Sequence, residues 1–155
     1  MPQKSNMSVL GYRPTAFKGD KKLTIKDGVY PVMLTPFNGD NKIDYESLLK
    51  FIRWFEQGGA DGLFAVCQSS EMFALSADER VALAKFVKEN SSLEVVASGN
   101  VDKSFEMQLE TMYRIADTGV DAVVLISNAF AKENEGDDVF IENLDRFLNA
   151  FKTET

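Results

Sequence analysis

The sequence predicts an α/β protein made of parallel strand–helix units of the TIM-barrel type, with about four of the eight units of a closed barrel. First, apolar runs and amphipathic segments alternate four times between residues 28 and 151. Second, the apolar runs show no polar alternation, which is typical of parallel strands covered by helices. Third, a Gly–apolar–Asp pattern at Gly59 recurs at Gly119, as expected of a repeated strand–helix unit.

The first unit combines an apolar strand with an aromatic-rich helix. Residues 28–37 form a Val-, Leu- and Tyr-containing run that ends at a Thr-Pro pair, as a buried strand does. Asp44 is a suitable N-cap, and Leu48 and Ile52 then recur at helical spacing. Gly58-Gly59 predicts the end of this helix.

The next three units repeat this order. Strands are predicted at 61–66, 93–98 and 121–127, and helices at 76–90, 104–119 and 139–151. Ser76 and Glu79 have the spacing of a capping box, which fixes the start of the second helix. Residues 28–155 are thus predicted as one set of four strand–helix units.

The first 27 residues differ from the rest of the chain. They lack a sustained hydrophobic period and are rich in Lys, Gly and small polar residues, so residues 1–27 are predicted as an extension or arm. Four parallel strands leave two sheet edges that have to be covered or paired. The sequence leaves open an open sheet, a homodimer closing a barrel from two halves, and a fragment of a longer parent.

Composition limits the function. The chain has 155 residues, a net charge of −7 and no basic stripe, which argues against nucleic acid or an anionic membrane as partner. The single cysteine, Cys67, and the absence of an apolar leader predict a reducing cytoplasm. Histidine is absent, so chemistry must rely on hydroxyls, carboxylates, amides or lysine. No pattern indicates a metal or another cofactor.

The loop after the second strand is the first candidate for a site. In parallel α/β proteins, ligands bind at the carboxyl ends of the strands, and residues 67–71 lie there. Cys67 is interpreted as a packed thiol, because no histidine can activate it. From the residues alone, Ser69 and Ser70 are equally suited to bind a ligand or to be plain loop residues. Glu71 is predicted to shape the loop by accepting hydrogen bonds from its N–H groups.

Three segments carry a family resemblance. They are residues 31–48, 58–80 and 94–130, which include the Thr-Pro-Phe strand end, the Glu71 to Arg80 spacing and the Gly-Val-Asp-Ala turn. Together they resemble the front half of the dihydrodipicolinate synthase and N-acetylneuraminate lyase family of class I aldolases. The resemblance implies an eight-stranded barrel that assembles as a homo-oligomer. It also implies lyase or aldolase action on pyruvate or a related 2-oxo acid through a lysine Schiff base.

The resemblance assigns roles within the loop after the second strand. It places Ser69 on the hydroxyl that would hold the 2-oxo acid carboxylate, with Ser70 offering a backbone N–H beside it. Gln68 stands at the position of the hydroxyl that relays protons toward the family's tyrosine. An amide can donate and accept hydrogen bonds, but it does not shuttle a proton as a hydroxyl does.

The resemblance also concerns the loop after the fourth strand. The family's tyrosine is expected there, where this chain has Ala129 and Phe130. The Schiff-base lysine is expected at the end of a sixth strand, beyond these four units. Lys132 is interpreted as a surface charge, since several acidic residues surround it. Two hypotheses therefore stand: the front half of a 2-oxo acid lyase, and a non-catalytic half-barrel that retains a carboxylate pocket for binding or assembly.

Overall fold

The computed structural model describes residues 25–151, so the predicted arm lies outside the described residues except for its last three. In the described part, helices and strands alternate in chain order: α1 Tyr45–Gln57, β1 Gly62–Val66, α2 Ala77–Asn90, β2 Glu94–Ala97, α3 Phe105–Ala116, β3 Ala122–Val123 and α4 Asp137–Ala150. Short 3-10 turns follow two strands, at Gln68–Ser70 after β1 and at Ser127–Ala129 after β3.

The sheet is parallel throughout. Its hydrogen-bonded order is β1-β2-β3, with both pairs parallel. An extended segment around Val32 lies on the other side of β1, where Phe64 donates its N–H to the Pro31 carbonyl and Met33 donates to the Phe64 carbonyl, both at 3.0 Å. The predicted parallel α/β architecture is therefore confirmed.

The two outer strands are shorter than predicted. The run 28–37 pairs as a strand at a single parallel bridge, Val32 with Phe64, and the run 121–127 is regular strand only at Ala122–Val123. Within residues 25–151 both segments have a strand neighbour on one side only, and Pro31 has no N–H to donate. By contrast, β1 and β2 have neighbours on both sides and form the longer ladders.

The helices pack on one face of the sheet. The main core joins buried apolar residues of both layers: Met33, Leu48, Ile52, Leu63, Ala65, Leu83, Val87, Val95, Ala97 and Ile115. A second cluster of Leu109, Met112, Phe130 and Phe147 joins α3 to α4. Burying these residues is the main stabilising contribution to the arrangement. Within residues 25–151, no helix is long and apolar enough to cross a membrane.

Helix caps fix where the helices begin. Asp44 accepts hydrogen bonds from the backbone of α1, as predicted. Ser76 and Glu79 form the predicted capping box, and the bond from the Ser76 N–H lowers the pKa of Glu79. Helix α4 begins at Asp137, two residues earlier than predicted, after Gly136 as N-cap.

The Gly–apolar–Asp repeat has a structural cause at the amino ends of the strands. Asp61 accepts a hydrogen bond from the Val29 N–H, and Asp121 accepts one from the Val95 N–H, each at 2.7 Å. In each case the carboxylate binds the neighbouring strand that precedes it in the chain. The glycine two positions before each aspartate has a positive φ, 79° and 86°, which other residues rarely adopt. The two copies therefore make the same turn.

Candidate functional site

A cavity of about 370 Å³ opens at the carboxyl ends of the strands. It brings the loop after β1 together with the loop after β3 and the extended first segment. Its lining is apolar on one part, with Val32, Phe64, Leu125 and Ile126, and small or polar on the other, with Cys67, Gln68, Ser69, Ser127 and Asn128. A concave apolar site with a few polar groups is the usual form of a small-molecule site.

Ser70 closes the loop after β1 from inside. Its side chain is fully buried, and its hydroxyl accepts a hydrogen bond from the Cys67 N–H at 2.8 Å and donates to the Cys67 carbonyl at 2.7 Å. The Ser70 N–H also donates to that carbonyl, at 3.2 Å. That N–H is therefore engaged within the loop in this conformation. Of the two serines, it is Ser69 that lines the cavity.

Glu71 shapes the turn through its backbone. Its side chain is exposed, and its φ of 58° places it in the left-handed region. Its N–H donates to the Gln68 carbonyl and its carbonyl accepts from the Ala74 N–H. The prediction that its carboxylate would accept loop N–H groups is thus replaced by a backbone role. Thr35 adds a tie from the first segment, because its hydroxyl donates to the Ser70 carbonyl at 2.7 Å.

The buried side chain of Arg80 holds the segment that follows the β1 loop in place. The Arg80 guanidinium donates to the carbonyl of Met72 at 3.3 Å and to that of Leu75 at 3.1 Å, and forms an ion pair with Asp102. Asp102 lies in the loop after β2 and also accepts a hydrogen bond from the Thr111 hydroxyl at 2.7 Å. This network therefore joins two loops of the carboxyl end to α3. The sequence interpretation treated Arg80 only as part of a family spacing.

Asn100 links the loop after β2 to Ile126, in the segment that follows β3. It is fully buried, its amide donates to the Ile126 carbonyl at 3.1 Å, and its carbonyl oxygen accepts from the Ile126 N–H at 2.9 Å. Because Ile126 lines the cavity, this pair of bonds fixes one wall of it. The sequence interpretation missed Asn100.

The loop after β3 supplies an amide to the cavity. Asn128 lines the cavity, whereas Phe130 is buried and packs against Phe147 with ring centroids 5.4 Å apart. Neither Ala129 nor Phe130 carries a hydroxyl, so this loop brings no tyrosine to the site.

Lys132 lies outside the cavity that contains Ser69. Its side chain is exposed, and it lines a groove of about 720 Å³ together with Glu133 and Glu135, which adjoins the Ser69 cavity at Asn128. None of the lysines within residues 25–151 is among the lining residues of the Ser69 cavity. The described part of the site therefore has hydroxyl and amide groups, and no amine.

Cys67 is a buried thiol at the edge of the cavity. Its Sγ lies 4.0 Å from the Met33 carbonyl oxygen, and its backbone N–H and carbonyl are both bonded to Ser70. Its buried position directly after the apolar strand β1 suits the packed role that the sequence predicts.

The fold and the site define a parallel strand–helix protein with its ligand loops at the carboxyl ends of the strands. Within that class, the chain belongs to the dihydrodipicolinate synthetase family, whose model matches residues 26–136. It is 34% identical over 124 residues to the 4-hydroxy-tetrahydrodipicolinate synthase of Haloarcula marismortui, which covers 79% of this chain and 40% of that protein. It is 31% identical over 109 residues to an uncharacterized DapA-like lyase of Pyrococcus horikoshii, covering 70% of this chain and 38% of that one.

Solved structures agree on the fold. The 2-keto 3-deoxygluconate aldolase from Picrophilus torridus matches with a TM-score of 0.73 at 24% identity, covering 81% of this chain and 45% of that one. A chloride-inhibited dihydrodipicolinate synthase from Acinetobacter baumannii, complexed with pyruvate, matches with a TM-score of 0.70 at 22% identity, covering 79% and 42%. The chain thus spans about 40% of the length of the curated relatives it matches.

Proposed function

We propose that the chain binds the carboxylate of pyruvate or a related 2-oxo acid at Ser69, as its part in a carbon–carbon lyase or aldolase reaction. The observation that carries this proposal is the position of Ser69, whose exposed side chain lines the cavity beside the apolar Val32 and Phe64. Family membership supports the ligand class, since structure relatives from Acinetobacter baumannii and E. coli are complexed with pyruvate.

Each part of the cavity suits one part of a small 2-oxo acid. The Ser69 hydroxyl donates to the carboxylate, a charge-assisted hydrogen bond that is stronger than a neutral one. Val32, Phe64 and Leu125 give an apolar surface for the carbon chain. The Gln68 and Asn128 amides can donate to the 2-oxo group or to a hydroxyl of the partner substrate. Ser70 and Arg80 hold the loop in place without touching the ligand.

The lysine Schiff base is the part of the reaction that the cavity does not supply. Lys132 lines the adjoining groove and not the cavity, and the lining residues of the cavity include no lysine among residues 25–151. In the proposed lyase, the amine is therefore contributed from outside the wall formed by these four strand–helix units. This chain would provide the carboxylate contacts.

A second candidate function is a non-catalytic binding or assembly protein that keeps the carboxylate pocket. The observation that favours it is the set of groups at the expected proton-relay positions. Gln68 is an amide, and Ala129 and Phe130 have no hydroxyl, so none of them can relay a proton. Such a site can still hold a carboxylate.

Calorimetric titration with pyruvate tests the binding step. Ser69→Ala is expected to weaken binding at least about ten-fold, because a hydrogen bond to a charged group contributes about 1.5–3 kcal/mol. Ser69→Thr keeps the hydroxyl and is expected to retain binding. Equal affinities of the natural chain and Ser69→Ala would contradict the proposed carboxylate contact.

Borohydride trapping tests whether this chain itself supplies the amine of the Schiff base. Intact-mass measurement after incubation with pyruvate and borohydride is expected to show no adduct on this chain, even where titration shows binding. A reduced pyruvate adduct would show that one of its own lysines forms the Schiff base. Repeating the measurement with Lys132→Ala would then identify or exclude that residue. No adduct together with no pyruvate binding would reject the pocket altogether.

A further inference from the structure

The cavity that contains Ser69 has a second polar wall, formed by Ser127 and Asn128 in the turn after β3. Both side chains are exposed, and both residues line the cavity. In the part of the chain that the structure describes, neither the Ser127 hydroxyl nor the Asn128 amide is bonded to another protein group. Both groups can donate and accept hydrogen bonds, so both are available to a ligand.

The second polar wall is held at both ends by buried groups. Before it, the side-chain amide of Asn100 binds the N–H and the carbonyl of Ile126. After it, Phe130 is buried against Phe147, and the Phe130 carbonyl accepts a hydrogen bond from the Asn143 amide at 2.8 Å. Groups that are already held in place lose less conformational freedom when a ligand binds. The wall is therefore positioned in advance of binding.

Asn100 takes the place of a backbone rung in this arrangement. The backbone pairing of β2 with the following strand reaches Val124, whose N–H donates to the Ala97 carbonyl at 2.9 Å. Two residues later, Ile126 has the Asn100 side chain as its partner, with one bond donated and one accepted. The sheet geometry is thus extended by a side chain as far as the residue that precedes the second polar wall.

Strand β2 separates the two polar walls. Gln68 and Ser69 follow β1, and the second polar wall follows β3, in a sheet of order β1-β2-β3. Neighbouring strands lie about 4.8 Å apart, so the two walls are roughly 10 Å apart where they leave the sheet. A carboxylate bound at Ser69 therefore leaves the second wall to a different part of the same ligand.

We propose that the second polar wall binds a hydroxyl group on the carbon chain of the ligand, so that the cavity takes a hydroxylated 2-oxo acid. Ser69 holds the carboxylate, Val32 and Phe64 lie against the carbon chain, and Ser127 and Asn128 exchange hydrogen bonds with the hydroxyl. The proposal rests on the proposed function, since Ser69 fixes which end of the ligand is the carboxylate.

Charge favours a neutral hydroxyl over a second carboxylate at this wall. No arginine or lysine is among the lining residues of the cavity within residues 25–151. The groove that adjoins the cavity at Asn128 is lined by Glu133 and Glu135 and by one cation, Lys132. A second carboxylate would thus meet a net negative charge without a cation of its own, which costs free energy.

Calorimetric titration of the full 155-residue chain with three five-carbon acids tests the proposal. The probes are 2-oxopentanoate, 4-hydroxy-2-oxopentanoate and 2-oxoglutarate, which differ in the hydroxyl and in the second carboxylate. The hydroxylated acid is expected to bind roughly three- to ten-fold more tightly than 2-oxopentanoate, the effect of one neutral hydrogen bond. 2-Oxoglutarate is expected to bind no more tightly than 2-oxopentanoate.

Three variants locate this preference in the cavity. Ser127→Ala combined with Asn128→Ala is expected to bring the affinity ratio of the hydroxylated acid to 2-oxopentanoate close to one. Ser69→Ala should weaken the binding of both acids by a similar factor and keep their ratio. Asn134→Ala is the matched control, since Asn134 is also exposed, lies in the same loop and does not line the cavity, so the ratio should be unchanged.

The outcomes separate this proposal from the binding function on which it rests. Equal affinities for 2-oxopentanoate and its hydroxylated form would overturn the proposal. Tighter binding of 2-oxoglutarate, or a hydroxyl preference that survives the Ser127 and Asn128 substitutions, would also overturn it. Each of these results leaves the carboxylate contact at Ser69 standing. Binding of none of the three acids and no pyruvate binding would reject the cavity as a 2-oxo acid site, and both proposals with it.

Discussion

The two ends of the sheet use their polar groups differently. At the amino end, carboxylates bind backbone N–H groups: Asp61 that of Val29, Asp121 that of Val95, Glu94 that of Lys26 and Glu56 that of Ser92. At the carboxyl end, the internal bonds are made by Ser70, Thr35, Asn100 and the Arg80–Asp102 pair, and Gln68 and Ser69 remain facing the cavity.

This difference shows where stability and ligand binding are separated in the fold. At the amino end, the acidic groups just described are engaged by the backbone; the Tyr30 hydroxyl also donates to Glu94, which raises the pKa of Tyr30 to about 12. At the carboxyl end, a buried layer holds the loops while an exposed layer above it remains open to a ligand. Substitutions of the amino-end carboxylates, of the buried carboxyl-end groups and of the exposed carboxyl-end groups should therefore differ in how much they destabilise the fold and in whether they weaken ligand binding.

The largest effect is expected for Arg80→Met. The substitution leaves the Asp102 carboxylate buried without its cation, which typically costs about 3–5 kcal/mol of unfolding free energy. Arg53→Met is the matched control, since Arg53 is half exposed and its pair with Glu56 is of the kind worth about 0–1 kcal/mol. Urea denaturation measures both. Adding Asp102→Asn to Arg80→Met should recover part of the loss, and equal losses for the two arginine variants would contradict the supporting role.

Asp121→Ala tests the amino end and is expected to rank next. Asp121 accepts the Val95 N–H and pairs with Lys88, and a hydrogen bond to a charged group contributes about 1.5–3 kcal/mol. Asp61→Ala removes the equivalent bond of the other repeat, where the group is exposed, so its loss should be smaller. Thermal and urea unfolding give the comparison. A larger loss of stability for Asp61→Ala than for Asp121→Ala would contradict the expectation that the more exposed carboxylate contributes less.

Ser70→Ala and Ser69→Ala separate the buried layer from the exposed one. Ser70→Ala leaves the Cys67 N–H without its partner inside the loop, which should cost about 1–2 kcal/mol. Ser69→Ala, at an exposed position, should change stability by less than about 0.5 kcal/mol. Pyruvate titration should give the opposite order. Ser69→Ala should weaken pyruvate binding more than Ser70→Ala does, because it removes the ligand contact without unfolding the loop. A Ser69→Ala chain as destabilised as Ser70→Ala would remove the distinction.

Most of the fold could be predicted from the sequence because parallel strands and capped helices leave strong local patterns. Asp44 and the Ser76–Glu79 capping box mark helix starts, and the Gly–apolar–Asp repeat marks two equivalent turns. The lengths of the outer strands could not be predicted in the same way. They depend on whether a neighbour is present, which no local pattern records.

The site was predicted less completely, for a physical reason. The position of the loop follows from strand direction. Which serine lines the cavity and which holds the loop depends on which of the Ser69 and Ser70 hydroxyls points into the protein interior. Arg80 illustrates the same point: it is in register with the buried Leu83, Ala84 and Val87 on one helix face. An arginine in an apolar stripe is a signal of a buried ion pair, although its partner lies 22 residues away in another loop.

Among the internally bonded groups, the smallest loss of stability is expected for Glu56→Gln, and its pH dependence is the informative part. The Ser92 N–H and hydroxyl donate to this carboxylate at 2.8 Å and Arg53 donates as well, which lowers the pKa of Glu56 from 4.5 to about 2. A carboxyl whose pKa is lower in the folded state stabilises the fold above its unfolded value and loses that contribution as pH falls through its folded value.

The natural chain should therefore exceed Glu56→Gln in stability by about 1 kcal/mol at neutral pH, and the difference should shrink between pH 4.5 and about 2. Urea midpoints measured at several pH values check this, with Glu89→Gln on the exposed face of α2 as control. Since Glu56 holds the α2–β2 turn to α1 at the amino end, pyruvate affinity should not change. A pH-independent difference would show that the stabilisation comes from side-chain packing, and weakened pyruvate binding would show that the two ends of the sheet are coupled.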